Sequence, residues 1–147
     1  MHEAMNYRLI RSKRCSIALK KARQQQQMVR AIRQNALSAD HYKRQARQLI
    51  PSRVAELSAL TGLECSGVRV TSGLKRFGSC SPKNKLTISW RLLLAPEDVL
   101  DYVIIHELAH TVEKNHSRRF WNKVNELMPD YKPAHGWLKM NGAVLNI

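Results

Sequence analysis

The chain has 147 residues, 44% of them apolar, and a formal net charge of +14 from 25 Lys and Arg against 11 Asp and Glu. That length supports one compact domain with at most an appendage, large enough to hold a core without disulfide staples. Its apolar runs are far too short to span a bilayer, no apolar leader opens it, and three cysteines without a CxxC pair fit a reducing cytoplasm, which excludes membrane, collagen-like and disulfide-rich secreted classes.

The charge is concentrated at the front. Residues 1–55 hold thirteen Lys and Arg against Glu3 and Asp40, a net of +11, whereas residues 56–147 have a net of +3. Such a segment attracts nucleic-acid phosphates, anionic lipid or acidic protein surfaces, or it is a solvated face that keeps the protein soluble. Within residues 7–19, the alternation of Cys15, Ile17 and Leu19 behind Tyr7 and Leu9 predicts a strand or short hairpin. Residues 20–36 are polar, with the run Gln24–Gln27 ahead of Met28, Val29 and Ile32. They predict a helix, or a linker with helical propensity. Residues 1–37 therefore read as a basic N-terminal segment and residues 38–147 as the main domain.

Ser38 or Asp40 caps a helix that runs to about Leu60, kinked or divided at Pro51 and stopped by Gly62. Strands follow near Gly67–Thr71, Arg76–Cys80 and Lys85–Trp90, the last two joined by a turn at Ser81–Asn84. Pro96, Glu97 and Asp98 open a helix whose apolar face carries Leu100, Val103, Ile104, Leu108 and Val112. Asn115 suits a left-handed stop, Ser117 caps a helix to about Leu127, Pro129 ends it, and a last short helix covers Pro133–Met140.

The chemistry lies in residues 106–116, HELAHTVEKNH. His106 and His110 are four apart on a helix, about 400° of rotation, so their rings share one face. Two imidazoles so placed can both reach a zinc ion at about 2.0–2.1 Å. Glu107, rotated by about 100°, is poorly placed as a ligand but can reach a water on the metal and serve as general base, then acid. A catalytic zinc usually takes three protein ligands, and His116 is the candidate third. On an unbroken helix it would point away, so the chain must turn between Val112 and His116, where Asn115 tolerates a left-handed conformation. Metzincins share the spacing from first to third histidine in HExxHxxGxxH, but Glu113 stands at the glycine position here.

The stretch from Leu74 to Lys139 resembles the YgjP-like metallopeptidases. Its segments RFGSCS at Arg76–Ser81, WRL at Trp90–Leu92, DYVIIHELAH at Asp101–His110, NHSRRFW at Asn115–Trp121 and PDY at Pro129–Tyr131 follow that family's pattern in order. The resemblance implies an α+β fold of minimal gluzincin type: a small antiparallel or mixed sheet packed on the HExxH helix with two or three further helices. It implies zinc-dependent hydrolysis, most directly of peptide bonds. The family is similar to SprT/Spartan-type proteases, which cleave proteins crosslinked to DNA, and some members are assigned as UTP pyrophosphatases. A nucleotide pyrophosphatase and a nucleic-acid-associated protein with a structural metal therefore stay as alternatives. A structural site would not need Glu107.

The expected metal ligands are His106, His110 and His116, for one Zn2+ per chain, with Glu107 catalytic. Leu86, Ile88 and Trp90 are expected on a sheet edge that pairs with an extended substrate. Tyr131 and His135 are candidates to donate to a developing oxyanion, or ordinary rim residues. Cys80 reads as a packing residue, Phe120, Trp121 and Trp137 as core aromatics, and Arg76 and Arg91 as phosphate or carboxylate binders or a basic rim. Expected partners are a polypeptide substrate and DNA or RNA through the basic half, with no membrane and a cytoplasmic location.

Overall fold

The computed structural model describes residues 19–24, 26–27, 30 and 36–146. The strand expected at residues 7–19 lies outside these apart from Leu19, which is helical, as are residues 20–24, 26–27 and 30. Helix α1, Ala36–Thr61, runs through Pro51 without dividing. The proline removes one internal N–H, but burial of Ala46, Ile50, Val54 and Leu57, one stripe at helical spacing, holds both halves on the core. The helix stops where expected, at Gly62, whose φ of 71° suits glycine and whose N–H donates to the Ser58 carbonyl at 2.9 Å.

Strands β1 (Gly67–Thr71), β2 (Gly78–Cys80) and β3 (Lys85–Ser89) form a mixed sheet in the order β1-β3-β2. β3 runs parallel to β1 and antiparallel to β2. Asn84, in the turn between β2 and β3, has a φ of 62°. The expected substrate edge at Leu86–Trp90 is corrected here. β3 is the central strand, so its main chain is already paired on both sides, and Leu86, Ile88 and Trp90 are 0%, 0% and 1% exposed. Nor does Trp90 belong to the strand. Ser89 accepts a hydrogen bond from the Arg91 N–H at 3.3 Å and caps a 3-10 helix, Trp90–Leu94.

Arg91 is buried in this turn, packs on the Trp90 ring and donates to the carbonyls of Ser72 at 2.7 Å and Gly73 at 3.3 Å. It anchors the loop ahead of β2, which corrects the ligand-binding reading of Arg91. Helix α2, Glu97–Ala109, begins after Pro96 with two acids in its first turn. It packs against β2 and β3, α1 and the two later helices, so it is buried nearly all round. Val112, expected on its apolar face, falls beyond its end and is exposed. Arg53 of α1 grips Asp101 of α2 through both carboxylate oxygens, at 2.8 and 2.7 Å.

Ser117 caps helix α3, Arg118–Leu127, and α4, Tyr131–Asn141, leads into a 3-10 turn at Gly142–Leu145. The architecture is the expected α+β one, with a mixed sheet on the HExxH helix and further helices around it. Among the described residues no helix is long and apolar enough to cross a membrane.

Candidate metal centre

Helix α2 delivers His106 and His110 one turn apart, then stops at Ala109. The Thr111 N–H donates to Leu108 at 3.0 Å, and the Val112 and Glu113 N–H groups donate to Ala109 at 3.2 and 2.9 Å. The first two of these bonds, tightened to span three residues, rather than a left-handed Asn115, end the helix and turn the chain, since Asn84 is the only non-glycine residue with positive φ among those described. Lys114 donates to the Asn84 side chain and ties the returning loop to the turn of the sheet. His116 Nε2 consequently lies 3.2 Å from His106 Nε2 and 3.2 Å from His110 Nε2.

Two nitrogens bound to one zinc at about 2.0–2.1 Å in tetrahedral geometry are about 3.3 Å apart, which the two approaches of His116 match, and all three ligand atoms lie within 4.8 Å of one another. The opposite nitrogens are also partnered. His110 Nδ1 lies 2.9 Å from the Glu113 carbonyl, to which it donates when Nε2 is kept for the metal. By the same assignment His106 Nδ1 donates to the Tyr102 hydroxyl at 3.3 Å, and that hydroxyl donates to His135 Nδ1 at 2.7 Å. Phe120, buried on α3, backs all three rings and stacks on His110 with centroids 4.2 Å apart. Burial, reinforced by the neighbouring imidazoles, pulls His106 down to about 3. Burial pulls His110 down as well. Both rings are thus held neutral, the form that binds a metal.

Glu107 is 6% exposed, and burial pushes its carboxyl up to about 7 against the opposing charge of Arg76. Its neighbour across the cleft is Gly78. A Cβ there would lie 2.8 Å from Val103 Cγ1 and 3.0 Å from both Cγ and Oε1 of Glu107. The absent side chain lets β2 lie directly against the carboxylate. Gly78→Ala should therefore displace Glu107. Because Glu107 has a flexible side chain whereas buried Val103 is stiff at χ1, the cost should fall on turnover, by about 10- to 100-fold, and partly on stability, with metal content retained. Steady-state kinetics beside metal analysis checks this, and unchanged turnover would show that the close approach is irrelevant to Glu107.

A cavity of about 340 Å3 adjoins Glu107 and His106 and is lined also by Arg76 and Phe77 ahead of β2, Tyr102 and Val103 of α2, and His135, Leu138 and Lys139 of α4. His135 thus faces the cleft. Tyr131 does not line it, and its ring stacks between Tyr102 and Trp121, with centroids 6.2 and 5.7 Å away. Cys80 is half-buried on β2, and burial raises its thiol pKa, as suits a packing residue. Sequence reasoning missed Tyr102 and Gly78. Tyr102, four residues before His106 on the same helical face, carried a legible signal. Gly78 did not, because its neighbours come from another element.

A family model described as YgjP-like, metallopeptidase domain, matches residues 3–141. No curated protein matches the chain. Two solved structures share the fold. The metallopeptidase zymogen abylysin of Pyrococcus abyssi is 20% identical with a TM-score of 0.53, covering 65% of this chain and 94% of that one. The metallopeptidase zymogen jannalysin of Methanocaldococcus jannaschii is 22% identical with a TM-score of 0.53, covering 65% of this chain and 96% of that one.

Proposed function

The chain belongs to the YgjP-like metallopeptidases, and we propose that it hydrolyses peptide bonds with a zinc ion held by His106, His110 and His116. The observation that carries this reading is the convergence of the His106, His110 and His116 rings beside a buried glutamate that is not one of the three ligands. Zinc at that position would supply a Lewis acid and lower the pKa of water. Glu107 takes the proton from the attacking water and returns it to the leaving amine. His135, whose Nδ1 accepts from Tyr102, keeps its proton on Nε2 and can donate to the developing oxyanion. An extended substrate pairs with β2, the strand of the sheet nearest Glu107, whose outer edge no strand among the described residues covers.

The test is metal analysis combined with substrates of two classes. The protein should carry one zinc per chain and cleave an unfolded polypeptide, a chelator should stop cleavage, and added zinc should restore it. Release of pyrophosphate from nucleoside triphosphates without any peptide cleavage would replace this reading with the nucleotide one.

The basic half motivates a partner as well. We propose that residues 1–55, with their net +11, bind nucleic-acid phosphates, with residues 1–37 as an appended arm on a catalytic domain of residues 38–147. Each neutralised duplex phosphate releases condensed counterions, so log affinity should fall against log salt with a slope of about −0.9 per contact. Fluorescence anisotropy on duplex DNA across a salt series measures the slope. A flat response would leave the charge as a solubility feature. Removal of residues 1–37 should abolish binding and leave zinc in place.

A further inference from the structure

The cavity beside Glu107 combines two kinds of lining. Phe77, Val103 and Leu138 make an apolar wall, and Arg76 and Lys139 reach it from opposite elements, the loop before β2 and helix α4. Both cations are exposed to solvent. Neither is in an ion pair among the described residues. The one acid on the lining is Glu107 itself, which is buried and committed to the chemistry. The apolar wall is also fixed from behind. Phe77 sits so close to Gly142 that a Cβ there would lie 3.0 Å from its ring, so the phenyl group rests on bare backbone.

A volume of about 340 Å3 accommodates one large side chain. We propose that this cavity seats a large apolar residue of the polypeptide substrate next to the scissile bond, and that Arg76 and Lys139 bind a carboxylate adjacent to that residue. The carboxylate has two possible sources, an Asp or Glu side chain following the apolar residue or the substrate's own C-terminus. Both present the same planar anion to a guanidinium and an ammonium. The inference rests on the metallopeptidase reading above and adds a substrate class to it.

Five peptides on one neutral background test it, with cleavage sites read by mass spectrometry. Two carry an internal Phe followed by Glu or by Gln, with amidated ends. Two end in Phe, one as the free acid and one as the amide. The fifth replaces Phe by Gly in the Phe-Glu peptide. The Glu peptide, the free-acid peptide or both should be preferred over their neutral partners by about tenfold in kcat/KM, within the range for two exposed ion pairs. Whichever pair shows the preference names the source of the carboxylate. The Gly peptide should be cut poorly. In the variant Arg76→Glu/Lys139→Glu the preference should invert, and in Arg76→Gln/Lys139→Gln it should vanish. Each is a ratio within one protein preparation, so partial misfolding does not mimic it. Equal cleavage within both pairs, or a preference untouched by charge reversal, overturns the proposal. If no peptide is cut, the peptidase reading fails, and anisotropy with the same labelled peptides on Glu107→Gln decides the cavity separately. Tighter binding of the acidic members sustains it, and equal binding ends it.

Discussion

Glu107→Gln should keep its metal and lose turnover by about 10²–10⁴-fold, the usual cost of removing a general base. The substitution preserves shape in a place where shape matters, because the side chain is 6% exposed and lies close against Gly78. What it removes is the capacity to accept a proton. Since Glu107 is not among the three converging ligands, zinc content by mass spectrometry or atomic absorption should stay at one per chain. Retained zinc with lost hydrolysis separates base from ligand. Undiminished turnover would exclude the mechanism, and lost zinc would make Glu107 a ligand.

His116→Ala should have the second large effect, a fall in zinc affinity of more than about 100-fold, exceeding what loss of an outer hydrogen-bonding partner costs. The fold should survive it. His116 is exposed and sits on the loop between α2 and α3, and Phe120, which backs it, is held by the core without it. Competition with a zinc-binding dye measures the affinity, and circular dichroism checks the helices. Full zinc retention in His116→Ala would move the third ligand elsewhere and would leave the 3.2 Å approach of His116 Nε2 to each of the other two Nε2 atoms without a purpose.

What the sequence determined by itself was local. A helix fixes the angle between residues four apart, so HExxH alone placed His106 and His110 on one face and Glu107 off it. The same locality made Gly62 and Ser117 readable as helix ends, because a left-handed stop and a side-chain cap depend on a few neighbouring residues. His116 could be named, but the means of bringing it back could not. The turn uses tightened helix-end bonds and a tie from Lys114 to Asn84, thirty residues away in sequence.

Tertiary structure alone decided the rest. Alternating buried residues in Lys85–Trp90 look the same on an edge strand as on a central one, and only the parallel pairing with β1 put β3 in the middle and left β2 beside the site. The hydrogen bond from Tyr102 to His135 spans 33 positions of sequence, and the fit of Gly78 against Glu107 joins two elements that share no local pattern. Backbone periodicity propagates over a few residues and can be read along the chain. Which surfaces then meet depends on how the apolar faces of separate elements are buried together, and that is settled only when the core closes.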